Sequence, residues 1–177
     1  MRCLHRLFVI FGLLGLALAW SGVVTVANAS TISNKTHSVT DYVTFYGWAD
    51  NSPPGPGIFH PCIHQTAGGV GTFADPITFA EPNDLHGPWC QVIYVPFLKK
   101  YFIHEDQCDP CGGVNTKHVD LWMGGDQNST VQPEKGALLA CENRLTERHT
   151  SVLLHPPSTE PVDSTALFTP PSTCDGM

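Results

Sequence analysis

Basic residues are scarce: nine Lys and Arg stand against sixteen Asp and Glu in 177 residues, a formal net charge of −7. Binding a phosphate backbone needs concentrated positive charge, so nucleic acid is excluded as a partner, and a neutral or cationic one fits better. Long apolar runs are missing beyond the N-terminus, so nothing after residue 29 has the length to span a bilayer. There is no Gly-x-Ser-x-Gly elbow, and no helix start follows Gly68-Gly69-Val70-Gly71. Serine-nucleophile and phosphate-loop chemistry are thereby set aside. Helix formers are sparse as well, and only 135–146 has the length and the Ala, Leu and Glu content of a helix.

What is present begins with an address. Arg2 and Arg6 precede an apolar run over 7–20, and Ala27-Asn28-Ala29 follows. A positive segment, a hydrophobic segment and a small-x-small site in that order read as a cleavable signal peptide over 1–29, and the protein is expected to be secreted. Removing those 29 residues leaves 148, enough for one domain but not two, and raises the acidic excess to −9. Cys3 leaves with them. Six cysteines remain, Cys62, Cys90, Cys108, Cys111, Cys141 and Cys174, an even number that in an oxidising compartment predicts three disulfides, with 15 pairings open. Asn34 and Asn128 each open a glycosylation sequon.

Composition divides the mature chain into a polar leader over 30–40, a domain over 41–149 and a Pro/Ser/Thr-rich extended tail over 150–177, with Cys174 available to pin the tail. Short strand-like runs fall at 42–46, 72–73, 77–80, 92–95, 101–104 and 119–123, each bounded by turn residues. Between the first two lies Asp50-Asn51-Ser52-Pro53-Pro54-Gly55-Pro56-Gly57, too rich in Pro and Gly for helix or central strand and so a structured loop. Many short strands with one helix predict a small all-β barrel.

Three aspartates stand out. Asp75 precedes Pro76, Asp106 ends the run Tyr101-Phe102-Ile103-His104-Glu105, and Asp120 sits in His118-Val119-Asp120-Leu121-Trp122. A carboxylate among apolar strand residues is costly to bury unless paired, although alternation alone would let Asp120 point to solvent. Taken together and in order, Gly71 to Ala80, Val92-Ile93-Tyr94-Val95-Pro96 leading into Asp106, and His118 to Gly124 resemble the three-aspartate ("3D") domain. That domain belongs to the double-psi β-barrel group, with lytic transglycosylases, the rare lipoprotein A type, barwin, expansins and family 45 endoglucanases. The resemblance implies a six-stranded double-psi β-barrel with one short helix and long disulfide-bonded loops. One departure is the inserted pair Cys108-Asp109-Pro110-Cys111. The segment from Tyr46 to Gly55 is another, and it resembles a small secreted fungal and actinobacterial group.

Carried over, the resemblance makes Asp120 the acid/base of glycosidic bond cleavage and Asp106 its support. Asp75, Trp48, Asp50, His118 and Tyr46 are then the expected substrate-binding residues, with Asp75 the most structural of the three aspartates. Most aromatics belong to the core, and Trp48 is expected in the cleft. The expected partner is a cell-wall polysaccharide met by a monomer away from the membrane. The same groove also fits an expansin-like or barwin-like protein that binds polysaccharide without cleaving it. His104, Cys108, Cys111 and His118 have a superficial zinc-ligand spacing, but exported, even-numbered cysteines favour disulfides. Cys108-x-x-Cys111 lacks a redox context, and no metal or cofactor is expected.

Overall fold

The first strand, β1 (His37–Tyr46), shows how local sequence sets the architecture: Val43 and Phe45 are buried in the core, while the alternating Tyr42 and Thr44 stay half-buried. The computed structural model describes residues 35–175 apart from 83, 110, 112–116 and 131–133. Five more strands complete the barrel, β2 (Ile77–Glu81), β3 (Val92–Val95), β4 (Lys100–Gln107), β5 (His118–Trp122) and β6 (Glu147–Leu154). They close in the order β1-β5-β2-β4-β3-β6. Two neighbouring pairs, β1/β5 and β2/β4, run parallel, and the others are antiparallel. Closure removes the unpaired edges that a flat sheet of this size exposes. The chain is therefore mostly β, a closed six-stranded barrel, as expected.

Val43, Phe79, Ile93, Phe102, Val119, Leu121 and Val152 fill the interior and are fully buried. The one α-helix among the described residues, α1 (Glu134–Leu145), buries Leu138, Cys141 and Leu145, spaced to share one face, and packs on β1. A glycine is required where they meet: a Cβ on Gly47 would stand 2.8 Å from the Gly124 carbonyl oxygen and 2.9 Å from Leu138 Cδ2. Three disulfides join Cys62 to Cys90, Cys108 to Cys111 and Cys141 to Cys174. No helix among the described residues is long and apolar enough to cross a membrane.

Several boundaries differ from expectation. Residues 72–73 form no strand and lie in a bend before β2. The leader contributes His37 to Thr40 to β1, paired with Leu154 to Ser151 of β6. That sixth strand was not foreseen, because its first residues, Glu147 to Ser151, are polar and largely exposed and show no apolar alternation. The tail does not hang free beyond it. Tyr94 Oη donates to the Pro161 carbonyl at 2.7 Å, Tyr101 Oη to that of Pro157 at 2.5 Å, and buried Lys100 Nζ to that of Thr165 at 2.6 Å. Leu167 and Phe168 are buried, and β7 (Phe168–Thr169) pairs with β8 (Thr173–Cys174) beside the Cys141–Cys174 bridge. The expected signal segment and the Asn34 sequon lie outside the described residues, whereas Asn128 is exposed in a short 3-10 helix, Gln127–Thr130.

Candidate active site

The barrel registers bring two of the three aspartates to one cleft. Asp120 of β5 lies opposite Thr44 on one side and opposite Ala80 on the other, and Ala80 in turn lies opposite Asp106 of β4. Two strand spacings, on the order of 10 Å between Cα atoms, thus separate the aspartates. The methyl group of Ala80 leaves the floor between them low. The β2/β4 register slips at Phe79/Ala80, so Glu105 is an unpaired extra residue between His104 and Asp106. Such a bulge re-aims the side chains around it.

The cleft holds about 780 Å³ and is walled by the loop after β1, through Asp50, Asn51, Ser52, Pro53, Ile58 and Phe59. That Pro/Gly-rich loop is held in shape by Asn51, whose Nδ2 donates to the carbonyls of Gly55 at 2.9 Å and Gly57 at 2.8 Å. Phe59 stands 65% exposed on the rim and stacks on Trp89 at 5.5 Å between centroids. An exposed aromatic face fixed from behind is a surface on which a sugar ring can stack.

The two carboxyls live in different surroundings. Asp106 accepts three hydrogen bonds, from Tyr46 Oη at 2.9 Å, the Phe59 amide at 3.1 Å and the Gln107 amide at 2.9 Å. Burial raises its pKa, and those donors partly offset the rise by favouring the carboxylate. Asp120 accepts from Thr44 Oγ1 at 2.7 Å. Its other oxygen faces the Cys108–Cys111 bridge, with the sulfurs at 3.9 and 3.7 Å, and a disulfide carries no proton to give. Burial, with the nearby charges of Asp50 and Asp106, pushes Asp120 up to about 6 against the hydrogen bond from Thr44. Burial thus raises both carboxyls, with three donors favouring the Asp106 carboxylate against one for that of Asp120.

The sequence profile of the DDB_G0273701 N-terminal domain family matches residues 37–175. The chain belongs to that family. One relative, "Uncharacterized protein DDB_G0273701/DDB_G0273221" from Dictyostelium discoideum, is 39% identical over 143 residues, which cover 77% of this chain. The match covers 59% of that relative's length. No solved structure matches the chain.

In this member of the DDB_G0273701 N-terminal domain family, Asp120, Asp106, Asp50 and Tyr46 line one cleft. The remaining sequence-predicted site residues lie elsewhere. Trp48, expected in the cleft, is half-buried against the core and does not line the cleft; its backbone is tied to Gly124 and Gly55. His118 sits behind Asp120, its Nε2 2.6 Å from Thr44 Oγ1 and its Nδ1 2.6 Å from the Cys111 carbonyl oxygen, with the ring stacked on Tyr42. It positions through Thr44 and does not face the cleft. Asp75 belongs to a different cluster, where its Oδ1 meets His64 Nε2 at 2.9 Å and His64 Nδ1 meets Glu105 Oε2 at 2.7 Å.

Sequence reasoning missed Thr44, Glu105 and Phe59. Thr44 carried a usable signal, since a polar residue two positions from Tyr46 in a strand shares its face. Phe59 had none, because a lone aromatic in a Pro/Gly loop does not declare its exposure.

Proposed function

We propose that the chain is a secreted enzyme that cleaves glycosidic bonds of a cell-wall polysaccharide, in the manner of a lytic transglycosylase or muramidase. The observation that carries this reading is Asp120, a carboxyl raised to about 6 in the wall of an open cleft that also holds Asp106. Two parallel strand pairs in a closed six-stranded barrel are compatible with a double-psi barrel of the three-aspartate group. Three disulfides suit a protein that works outside the cell.

In the proposed reaction Asp120 gives its proton to the glycosidic oxygen as the bond to the anomeric carbon breaks. Asp106, whose three donors favour its carboxylate form, stabilises the positive charge that develops on the sugar. Water or the sugar's own hydroxyl then attacks the anomeric carbon, and the Asp120 carboxylate takes the proton released. Phe59 supplies a stacking face, and Asp50 and Asn51 offer polar groups to sugar hydroxyls. Asp75 stands outside this machinery.

The test is to incubate purified mature protein with peptidoglycan, chitin and β-glucan and to analyse soluble products by mass spectrometry. Products from one polymer, abolished by Asp120→Asn with folding intact, are the expected outcome. A product lighter by one water identifies the transglycosylase route. Capture by a polymer with no product from any of them overturns the enzyme in favour of a non-catalytic wall-binding protein.

A further inference from the structure

Away from the cleft, the end of β2 and the middle of β4 bring together a histidine and two carboxylates. His104 is fully buried, its ring clamped between Phe79 at 5.2 Å and Trp89 at 4.1 Å, with interplanar angles of 21° and 24°. Packing clamps the ring, and neither of its nitrogens closes a well-formed hydrogen bond. The Gly87 and Pro88 backbone approaches it and favours the protonated ring, outside good hydrogen-bond geometry. A buried imidazole nitrogen without a well-formed partner forfeits free energy that the native structure recovers if a ligand binds at it.

The ring is aimed at its acidic neighbours. Nδ1 lies 3.5 Å from Glu81 Oε1 and 3.9 Å from Asp84 Oδ1. These separations are too long for N–H···O hydrogen bonds, which close to about 2.7–3.2 Å. They approach the edges of a tetrahedron whose metal–nitrogen and metal–oxygen bonds are about 2.0–2.2 Å, edges of roughly 3.3–3.6 Å. Glu81 is buried, whereas Asp84 is exposed and free to close the last few tenths of an ångström.

We propose that Glu81, Asp84 and His104 form a binding site for a divalent cation of the zinc class, with the fourth position open to solvent beside Asp84. One imidazole and two carboxylates make a donor set suited to zinc and its first-row neighbours. A second layer orients it: Glu81 Oε2 contacts His86 Nδ1, both Glu81 oxygens lie 3.2 Å from the His86 amide, and His86 Nε2 meets Asp41 Oδ2 at 3.0 Å. Outer partners of this kind hold a ligating carboxylate in place. The bound cation ties the loop that carries Asp84 and His86 to β2 and β4. Two other groupings of suitable residues, around Cys62/Cys90 and Cys108/Cys111, have their sulfurs committed to disulfides and are unsuited to the role. None of Glu81, Asp84 and His104 lines the cleft, so this site stands or falls independently of glycan cleavage.

The experiment uses the full mature chain with its disulfides intact, stripped with chelator and titrated calorimetrically with zinc sulfate, in parallel with cobalt(II) chloride followed by visible absorption. One zinc per chain, a higher melting temperature with zinc, and the cobalt spectrum of a four-coordinate site are expected. Because His104→Gln changes a buried position and risks the fold, the informative variant is Asp84→Asn. It is exposed, keeps a residue type that tolerates the positive φ of 52° at this position, and removes one ligand charge. It should keep its circular dichroism spectrum and lose at least roughly tenfold in zinc affinity. Absence of stoichiometric zinc binding in the parent overturns the proposal. Equal affinities of parent and Asp84→Asn, as for zinc held on surface histidines, do the same.

Discussion

The Thr44 hydroxyl lies 2.7 Å from Asp120 Oδ1 and 2.6 Å from His118 Nε2, and its single hydrogen cannot serve both. His118 Nδ1 faces the Cys111 carbonyl, which only accepts, so Nδ1 keeps its proton. One more proton therefore completes the line: on Asp120, donating to Thr44, which donates to Nε2, or on Nε2, donating to Thr44, which donates to the carboxylate. Asp120 and His118 share a proton through a hydroxyl that neither sequence distance nor charge pattern announces.

Removing that hydroxyl has a definite sign. Thr44→Val deletes a donor to the Asp120 carboxylate and sets a methyl in its place, so the pKa of Asp120 should rise above its present value near 6. A charge-assisted hydrogen bond of this kind is worth about one pH unit or somewhat more. A carbon-13 NMR titration of the Asp120 carboxyl reads the shift directly. An unchanged or lower value shows that Thr44 does not favour the Asp120 carboxylate.

The Cys108–Cys111 bridge acts on the same carboxyl in the opposite direction. Its sulfurs cover Asp120 Oδ2, and burial is the leading cause of the raised pKa. The double variant Cys108→Ala, Cys111→Ala admits water and should lower that pKa by about one unit. If the enzyme reading holds, the alkaline limb of the activity profile moves to lower pH with it. The same carboxyl titration decides the outcome, and no downward shift means the bridge does not shield the acid.

Much of the barrel was legible because its central strands are contiguous apolar runs. Those at 77–80, 92–95, 101–104 and 119–123 fall within a residue or a few of the observed β2 to β5. Asp106 and Asp120 were legible for the same reason, as charges standing inside such runs. Illegible were the features that depend on closure. β6 begins polar because it is exposed until it meets β3, and nothing in the sequence marks Glu81 at the end of β2, or His104 and Glu105 within β4, as buried. An aromatic beside a polar loop looks available to a cleft, whereas Trp48 packs against the barrel core.

Asp120 also carries a stability signature. Its folded pKa of about 6 lies above the ordinary value of 3.8, so the folded state binds its proton more tightly than the unfolded chain does. This group's contribution is fully present below about pH 4 and is lost as the pH rises through about 6. Asp120→Asn removes the ionisation. It should match the parent near pH 4 and exceed it by about 3 kcal/mol near pH 8, from roughly two units at 1.36 kcal/mol each. Chemical denaturation at the two pH values measures the difference; a gap that fails to grow with pH shows that Asp120 is not buried as a carboxyl acid.

The third aspartate is separated from the other two by what it holds. Glu105 is fully buried, and its Oε1 accepts from the amides of Cys62, Ile63 and His64 at 3.1, 2.9 and 3.0 Å, while Oε2 accepts from Thr78 at 3.0 Å and meets His64 Nδ1. Burial alone would raise its pKa, but these donors outweigh it and leave Glu105 below the ordinary glutamate value. Asp75 only completes the far side of His64, with its side chain 46% exposed. Glu105→Gln turns an NH2 toward donors and should cost about 3–5 kcal/mol, as for a buried charge network broken at one partner. Asp75→Asn removes a partly solvated contact and should cost no more than about 1 kcal/mol. Urea denaturation at neutral pH gives both numbers. On the proposed function, Asp75→Asn also keeps its glycan-cleaving activity, because the residue it replaces anchors a loop through His64 and never reaches the cleft. A large loss of activity in a stably folded Asp75→Asn protein would return the third aspartate to the chemistry.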